Sequence, residues 1–158
     1  MYDIVLLTTG ENEVRKKILQ DNPDALVVDC EVGRTEVLGR LEHAMNRGVR
    51  QLLTYRCPYI IPCELYSRAK CGAYNIHPSL LPDYAGLNPW VRIFEDKVRN
   101  SGVTLHRISD IPDGGEILGV SNFEICADDT LDSARQKADI AAVKLIRYIE
   151  DDRKYHSD

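Results

Sequence analysis

Short apolar runs alternate with amphipathic segments along this chain, and no other feature limits the possible folds as strongly. The first run, residues 3–8, is apolar after its initial aspartate, as is typical of a strand buried on both faces of a parallel sheet. Similar runs predict further strands at residues 25–28, 51–55, 73–75, 103–106 and 117–125, and a turn is expected at Ser101 and Gly102. Helical spacing of apolar residues predicts helices at residues 11–20, 35–47, 62–70 and 130–149, and a less regular segment after Trp90 is also expected to be helical.

Such alternation of strands and helices implies parallel strand pairing with right-handed crossovers. We therefore predict an α/β protein with a Rossmann-like, open, mostly parallel twisted sheet and helices on both faces. With 158 residues, of which 44% are hydrophobic, the chain can bury the core of one domain. We expect that domain to span residues 1–150 and residues 151–158 to form a polar, frayed tail.

The charge and the cysteines exclude several classes of protein. A net charge of −5 disfavours the clustered basic surface that phosphate backbones require, so no nucleic-acid partner is expected. Residues 2–8 are too few to span a bilayer and lack the flanks of a signal peptide, which favours a cytoplasmic protein without a membrane partner. The five cysteines are an odd number and match no zinc-ligand spacing, so we expect reduced core thiols and no metal.

Polar residues and prolines crowd into residues 75–90, which read NIHPSLLPDYAGLNPW. Asn75 and His77 stand two residues apart at the carboxyl end of a predicted strand, so their side chains should share one side. In an open α/β sheet, the crevice outside the carboxyl ends of the strands is where ligands bind. The prolines at 78 and 82 break regular structure, so a fixed loop should follow.

Two further polar residues can reach the same crevice. His106 ends a predicted strand, and Asp113 lies in a loop beside two glycines. An amide and an imidazole aimed at one point can stabilise an oxygen that becomes negative during attack on a carbonyl, and a carboxylate can keep the imidazole protonated and move a proton off an attacking amine. Ser79 has no nucleophile-elbow sequence and no cysteine neighbours a histidine, so direct acyl transfer is expected.

Each of these residues also has a simpler interpretation. A histidine at a strand end is often structural, and Asp113 could be only a turn residue before Gly114. His106 could support Asp113 without taking part directly.

Three blocks of sequence, NIHPSLLP followed by Tyr-x-Gly, then SGVTLH, then IPDGGEIL, together resemble the folate-dependent formyltransferase family. The resemblance implies a formyltransferase-type fold, here with a shortened N-terminal half. It also implies that 10-formyltetrahydrofolate donates a formyl group to a primary amine. Asn75 and protonated His77 would hold the formyl oxygen, Asp113 would position His77 and relay a proton, and His106 would support them.

The resemblance also implies where the donor and the acceptor bind. The pterin would be held mainly by backbone groups of two loops, with apolar side chains forming a slot for the flat ring. The implied donor-binding residues are Pro58, Tyr59, Ile60, Ile61, Ser109, Asp110 and Ile111. The implied acceptor-binding residues are Gly10, Pro78, Tyr84 and Asn88.

Departures from the family pattern bear on the acceptor. Glu11 follows the first strand where glycinamide ribonucleotide formyltransferases have a phosphate-binding loop, and it would repel a phosphate. Position 85 is Ala where many members carry a basic residue, and the part before Asn75 is shorter by about one strand–helix unit. No further domain is expected after residue 158, and together these departures favour a small-molecule amine over tRNA, with a nucleotide-linked amino sugar as the first candidate. The alternatives are a glycinamide ribonucleotide enzyme with an altered phosphate loop and a non-catalytic folate-binding protein. Trp90 could serve the core or a homodimer contact, and stacking against the acceptor is the less favoured alternative.

Overall fold

A six-stranded open sheet forms the centre of the molecule. The structure is a computed structural model that describes residues 1–156. The strand order is β2-β1-β3-β4-β5-β6. The strands are β1 (Tyr2–Thr8), β2 (Leu26–Asp29), β3 (Val49–Tyr55), β4 (Ala73–His77), β5 (Asn100–Arg107) and β6 (Ile117–Glu124). The first four strands pair in parallel, whereas β5 pairs antiparallel with both β4 and β6. The predicted open, mostly parallel sheet is confirmed.

Helices cover both faces of this sheet, as predicted. They are α1 (Glu13–Asp21), α2 (Arg34–Arg47), α3 (Cys63–Tyr66), α4 (Pro89–Glu95), α5 (Leu131–Val143) and α6 (Ile146–Tyr155). Residues of α1, α4, α5 and α6 share one buried cluster, which defines the α5 face, and residues of α2 and α3 pack in a second cluster, which defines the α2 face. None of the helices within residues 1–156 has the length and apolar content needed to cross a membrane.

The central strands feed both clusters because their side chains alternate between the two faces. In β1, Ile4 and Leu6 join the α5-face cluster, whereas Val5 and Leu7 join the α2-face cluster, and all four are at most 1% exposed. Trp90 belongs to the α5-face cluster, where its ring centroid lies 6.4 Å from that of Phe123. Within a single chain, Trp90 is therefore a core residue.

Two predicted helices differ from the observed ones. The helix expected at residues 62–70 ends at Tyr66, because the backbone N–H groups of Lys70 and Cys71 donate to carbonyls of β3 and draw the chain towards the sheet. The long helix expected at residues 130–149 is divided in two. The backbone N–H of Leu145 donates to the carbonyl of Ala142, three residues back, and this tighter turn separates α5 from α6.

Two predicted strands are longer in the structure. β4 continues past Asn75 to His77, and β5 begins at Asn100 although Ser101 and Gly102 were expected to form a turn. A Cβ atom built on Gly102 would lie 2.6 Å from both Leu80 Cδ2 and the Ser121 carbonyl oxygen. The glycine thus permits close packing inside a strand instead of reversing the chain.

The expected frayed tail is wrong for the residues that the structure describes. Helix α6 runs through Tyr155, and its polar side chains bond to the sheet. The Asp152 carboxylate accepts hydrogen bonds from the Tyr74 hydroxyl and, at 2.9 Å, from the Arg107 guanidinium. Arg153 Nε donates to Gln51 Oε1 at 3.0 Å. These bonds fix the end of α6 to the sheet, while residues 157 and 158 of the expected tail lie outside the described residues.

The bonds made by Asp152 predict a measurable contribution to stability. Asp152→Ala removes an acceptor shared by two partly buried donors, so we expect the free energy of unfolding in urea to fall by about 1–3 kcal/mol. Asp151→Ala is the matched control, because Asp151 is exposed and pairs only with its helical neighbour Lys154 in the described residues. Equal stability of the two variants would show that α6 is not held by Asp152.

Candidate active site

Three polar side chains form a row across the carboxyl-end half of the sheet, on the α2 face. Thr54 on β3, Asn75 on β4 and His106 on β5 are register partners, so they lie side by side. The Thr54 hydroxyl donates to Asn75 Oδ1 at 2.7 Å, and Asn75 Nδ2 lies 3.1 Å from His106 Nε2. The amide is therefore bound at both of its polar atoms.

The protonation of His106 follows from its surroundings. His106 Nδ1 lies 2.8 Å from the backbone carbonyl oxygen of Arg107, which can only accept a hydrogen bond. We therefore assign the proton to Nδ1, and this leaves the Nε2 lone pair to accept from Asn75. Burial lowers the pKa of His106 below its ordinary value, which favours this neutral form.

His77 lies two residues beyond Asn75 and is 6% exposed. Its Nε2 atom lies 3.0 Å from the backbone carbonyl oxygen of Tyr84, and its Nδ1 atom lies 3.4 Å from Asp113 Oδ1. Both ring nitrogens thus face oxygen acceptors. This arrangement accommodates an imidazolium ring, in which each nitrogen carries a proton to donate.

The Asp113 carboxylate lies beside both histidines. Its Oδ1 atom also lies 3.8 Å from His106 Nε2, and its Oδ2 atom accepts a hydrogen bond of 2.8 Å from the backbone N–H of Gly86. The side chain is 15% exposed, so part of the carboxylate remains accessible from solvent. The structure thus gathers Asn75, His77, His106 and Asp113 in one place, at the carboxyl end of β4.

Strained backbone surrounds this cluster. Tyr84 and Asp113 have φ angles of 54° and 55°, in the left-handed region that non-glycine residues seldom adopt. Each of these residues supplies an oxygen to His77, the first through its carbonyl and the second through its carboxylate. Strained residues of this kind persist where surrounding bonds fix them, and they are common at functional sites.

The loop of residues 78–88 covers one side of the cluster. Ser79 Oγ donates to the carbonyl of Asp83 at 2.6 Å, and Thr104 Oγ1 donates to the carbonyl of Ser79 at 2.7 Å. The Leu81 N–H donates in turn to Thr104 Oγ1 at 3.0 Å. These bonds fix the loop to β5, and they place Ser79 in a structural role.

The predicted acceptor-binding residues of this loop differ in their placement. Pro78 follows His77 directly and is half-buried, whereas Asn88 is exposed where α4 begins. Tyr84 reaches the cluster through its carbonyl, because its hydroxyl donates to Asp96 at 2.6 Å and its ring lies beside the Arg92 guanidinium.

Gly10, the remaining predicted acceptor residue, lies at the end of β1, two strands away from β4. The helix that follows it provides its own cap, because the Asn12 side chain accepts the Arg15 N–H at 2.9 Å. Glu11 and Asp29 each lie 3.5 Å from the Arg15 guanidinium. The Arg15 guanidinium at this end of β1 therefore already has carboxylate partners within the protein.

The two predicted donor loops lie on either side of α3. Among their residues, Ile61 is 5% exposed and belongs to the α2-face core, so it cannot line an open slot as expected. Tyr59 bonds to the carbonyl of Cys30 at 3.0 Å and packs on the same core, while Pro58 beside it is exposed. Ile60 and Ile111 are each 69% exposed and offer apolar surface, one on each loop.

Polar contacts shape the second donor loop. Ser109 Oγ donates to the carbonyl of Ile111 at 3.0 Å, which tightens the turn before Asp113. Asp110 accepts a hydrogen bond of 2.6 Å from the Tyr66 hydroxyl, and this bond connects the loop to α3. The second loop is thus bonded to the short helix that directly follows the first loop.

Sequence reasoning missed Thr54 and the backbone N–H of Gly86. Thr54 lies outside every motif, and only the pairing register of β3 with β4 places it beside Asn75. Gly86 contributes its backbone N–H, and the type of residue at a position does not reveal where its backbone N–H points.

The described residues offer no metal site. Within residues 1–156, no group of three or more His, Cys, Asp or Glu side chains is placed to hold an ion.

Comparison with known proteins assigns the chain to a family. The family described as Formyl transferase matches residues 42–148, a segment that contains the whole cluster. A methionyl-tRNA formyltransferase from Chlorobium limicola is 28% identical over 155 residues, which cover 92% of this chain and 48% of the relative. A second, from Thermotoga neapolitana, is 32% identical over 120 residues, covering 75% of this chain and 37% of the relative. The chain thus spans half or less of the length of these curated relatives.

Solved structures share the fold. Phosphoribosylglycinamide formyltransferase from Streptococcus pneumoniae superposes with a TM-score of 0.77 at 18% identity, covering 96% of this chain and 98% of that chain. HypX from Aquifex aeolicus, solved in complex with tetrahydrofolic acid, gives a TM-score of 0.79 at 15% identity, covering 99% of this chain and 27% of that chain. Because the family match extends over more than half of the sequence, the chain belongs to the Formyl transferase family.

Proposed function

We propose that the protein transfers the formyl group of 10-formyltetrahydrofolate to a primary amine of a small molecule. The observation that carries this proposal is the meeting of the Asn75 amide, the His77 imidazole and the Asp113 carboxylate in one crevice. Membership of the formyl transferase family supports the reaction and the folate donor. The folate-bound structure that shares this fold adds support for the donor.

The formyl oxygen of the donor meets Asn75 and His77 in this mechanism. One N–H of the Asn75 amide faces His106, and the second N–H can donate to the formyl oxygen. The N–H at His77 Nδ1 is fixed in the plane of the ring, and its contact of 3.4 Å with Asp113 is longer than a usual charge-assisted hydrogen bond, so a formyl oxygen placed beside Asp113 can share this donor. Both donors then stabilise the negative charge that develops during attack.

Attack of the amine forms a bond from its nitrogen to the formyl carbon, and the bond from that carbon to N10 of the folate then breaks. Asp113 accepts the proton that the attacking amine loses and relays it to N10 as tetrahydrofolate leaves, so the carboxylate is regenerated. No covalent enzyme intermediate takes part. Ser79, two residues after His77, is fully buried and donates its hydroxyl proton to the carbonyl of Asp83.

A nucleotide-linked amino sugar is the first acceptor to test. The capped start of α1 and the acidic Glu11 beside it speak against a phosphate bound there, as in a glycinamide ribonucleotide acceptor. The expectation that no nucleic acid takes part finds no support among the relatives, which include methionyl-tRNA formyltransferases. Methionyl-tRNA therefore belongs among the acceptors tested.

The proposal includes a cytoplasmic location, which suits the five unpaired thiols.

An assay of tetrahydrofolate release tests this function. The protein is incubated with 10-formyltetrahydrofolate and each of four acceptors: a nucleotide-linked amino sugar, glycinamide ribonucleotide, methionyl-tRNA and water alone. Release that depends on an amine, with the formyl group recovered on that amine, is the expected result. If the protein binds the donor but releases no tetrahydrofolate with any of the four acceptors, it is a non-catalytic folate-binding protein.

Removal of the imidazole tests the assignment of His77. His77→Ala should lower kcat by a factor on the order of a hundred to ten thousand, because a donor to the developing oxyanion is lost. Donor affinity, measured by fluorescence titration, should stay nearly unchanged. His43→Ala is the matched control, because His43 is exposed on α2. Rates equal to wild type in His77→Ala would remove this residue from the mechanism.

The charge of Asp113 can be tested with little change in shape. Asn tolerates positive φ angles well, so Asp113→Asn should preserve the loop while removing the carboxylate. We expect a lower kcat and the loss or shift of the acidic limb in the pH dependence of kcat/KM. An unchanged pH profile would reduce Asp113 to a turn residue.

The neutral state of His106 predicts a dependence of stability on pH. The pKa of His106 is lowered in the folded protein. Below about pH 6.5, His106 therefore binds a proton in the unfolded chain more readily than in the folded protein. Stability should therefore fall as the pH decreases, with a contribution of up to about 1.4 kcal/mol per pH unit. His106→Gln should lose that contribution in urea unfolding between pH 7.5 and 5.5. Parallel curves for the two proteins would contradict the assignment.

A further inference from the structure

We propose that Thr54 is a positioning residue for the transfer reaction, because its hydroxyl fixes which way the Asn75 amide faces. This inference rests on the proposed function and names a residue outside the sequence motifs that suggested it. Thr54 is 4% exposed and lies on β3, beside the strand that carries Asn75 and His77. It acts through Asn75, whose Oδ1 accepts its proton at 2.7 Å.

An asparagine amide can turn by half a rotation with almost no change in shape, which exchanges its donor and acceptor ends. Only one of the two orientations presents an N–H to the formyl oxygen. In the other orientation, the carbonyl oxygen of the amide would replace one of the N–H donors in the row. The catalytic value of Asn75 therefore depends on the groups that select the first orientation.

Two neighbours make that selection. On one side, the Thr54 hydroxyl donates to Oδ1. On the other side, the lone pair of neutral His106 Nε2 accepts from Nδ2, since Nδ1 of the same ring is committed to the carbonyl of Arg107. The reversed amide would direct its oxygen at the Nε2 lone pair, and two acceptors facing each other repel.

The hydroxyl of Thr54 has two possible acceptors, and it is one of two groups that orient the amide. Loss of the hydroxyl should therefore have only a partial effect on the rate. The backbone carbonyl oxygen of Tyr74 lies 3.4 Å from Thr54 Oγ1, farther than Asn75 Oδ1. The shorter bond therefore goes to the amide. His106 continues to orient the amide when the hydroxyl is removed, so one of two constraints is lost. One net hydrogen bond corresponds to a factor of roughly three to ten in rate.

Replacement by valine removes the hydroxyl and keeps the branched shape, and replacement by serine keeps the hydroxyl. Thr54→Val should lower kcat by a factor of about three to ten, with KM for the donor within about twofold of wild type. Thr54→Ser should recover most of the lost rate. Thermal unfolding of both variants checks that the fold is retained. A rate for Thr54→Val within twofold of wild type, or equal losses in the two variants, would overturn the proposal.

A double-mutant cycle separates action through Asn75 from other effects. In an Asn75→Ala background, Thr54→Val should have no additional effect on kcat, because the group that Thr54 orients is absent. The same loss in both backgrounds would show that Thr54 acts by another route and would overturn the positioning role.

A measurement that needs no activity distinguishes failure of this inference from failure of the proposed function. In ¹⁵N-labelled protein, the side-chain amide signals of Asn75, assigned by their loss in Asn75→Ala, should move in Thr54→Val and return in Thr54→Ser. Unchanged signals in Thr54→Val would overturn the positioning role even in an active enzyme. Absence of formyl transfer in the wild type, together with the expected shifts, would reject the function while supporting the hydrogen bond from Thr54 to Asn75.

Discussion

The pairing register of β4 with its two neighbours determines the chemistry that this crevice can offer. β4 runs parallel to β3 on one side and antiparallel to β5 on the other, and this places Asn75 directly between Thr54 and His106. A slip by one residue would turn Asn75 and His77 to the α5 face, among apolar side chains. The apolar residues Tyr74 and Ile76, fully buried on that face, resist such a slip. Burial of the core on one face thus fixes the polar row on the other.

A second constraint comes from loops that are folded against the sheet. The carbonyl of Tyr84 and the carboxylate of Asp113 contact His77 from two residues that both adopt left-handed backbone angles. Bonds from Thr104 and the N–H of Gly86 hold these loops in place. Within residues 1–156, no buried side-chain nitrogen or oxygen lacks a hydrogen-bond partner. Polar groups whose positions are already fixed by hydrogen bonds are suited to stabilise a charge that appears during the reaction.

The sequence predicted the elements of this fold better than their ends. Apolar alternation identified the sheet and its helices, but the chain leaves α3 early because Lys70 and Cys71 bond to β3, which no local pattern reveals. Gly102 resembled a turn residue and proved to permit close strand packing. The polar segment after residue 150 resembled a tail, and Asp152 bonds to Tyr74 and Arg107 instead. At the site, motif spacing identified four side chains that the structure brings together, whereas Thr54 required the register itself.

The central claim is that Asn75 and His77 face the formyl oxygen of a bound folate. A crystal structure of the protein with a stable 10-formyl folate analogue tests it most directly. We expect the formyl oxygen about 3 Å from Asn75 Nδ2 and within hydrogen-bonding reach of the His77 ring, with the pterin between the loops that carry Ile60 and Ile111. A well-ordered analogue whose formyl group lies away from Asn75 and His77 would contradict the account.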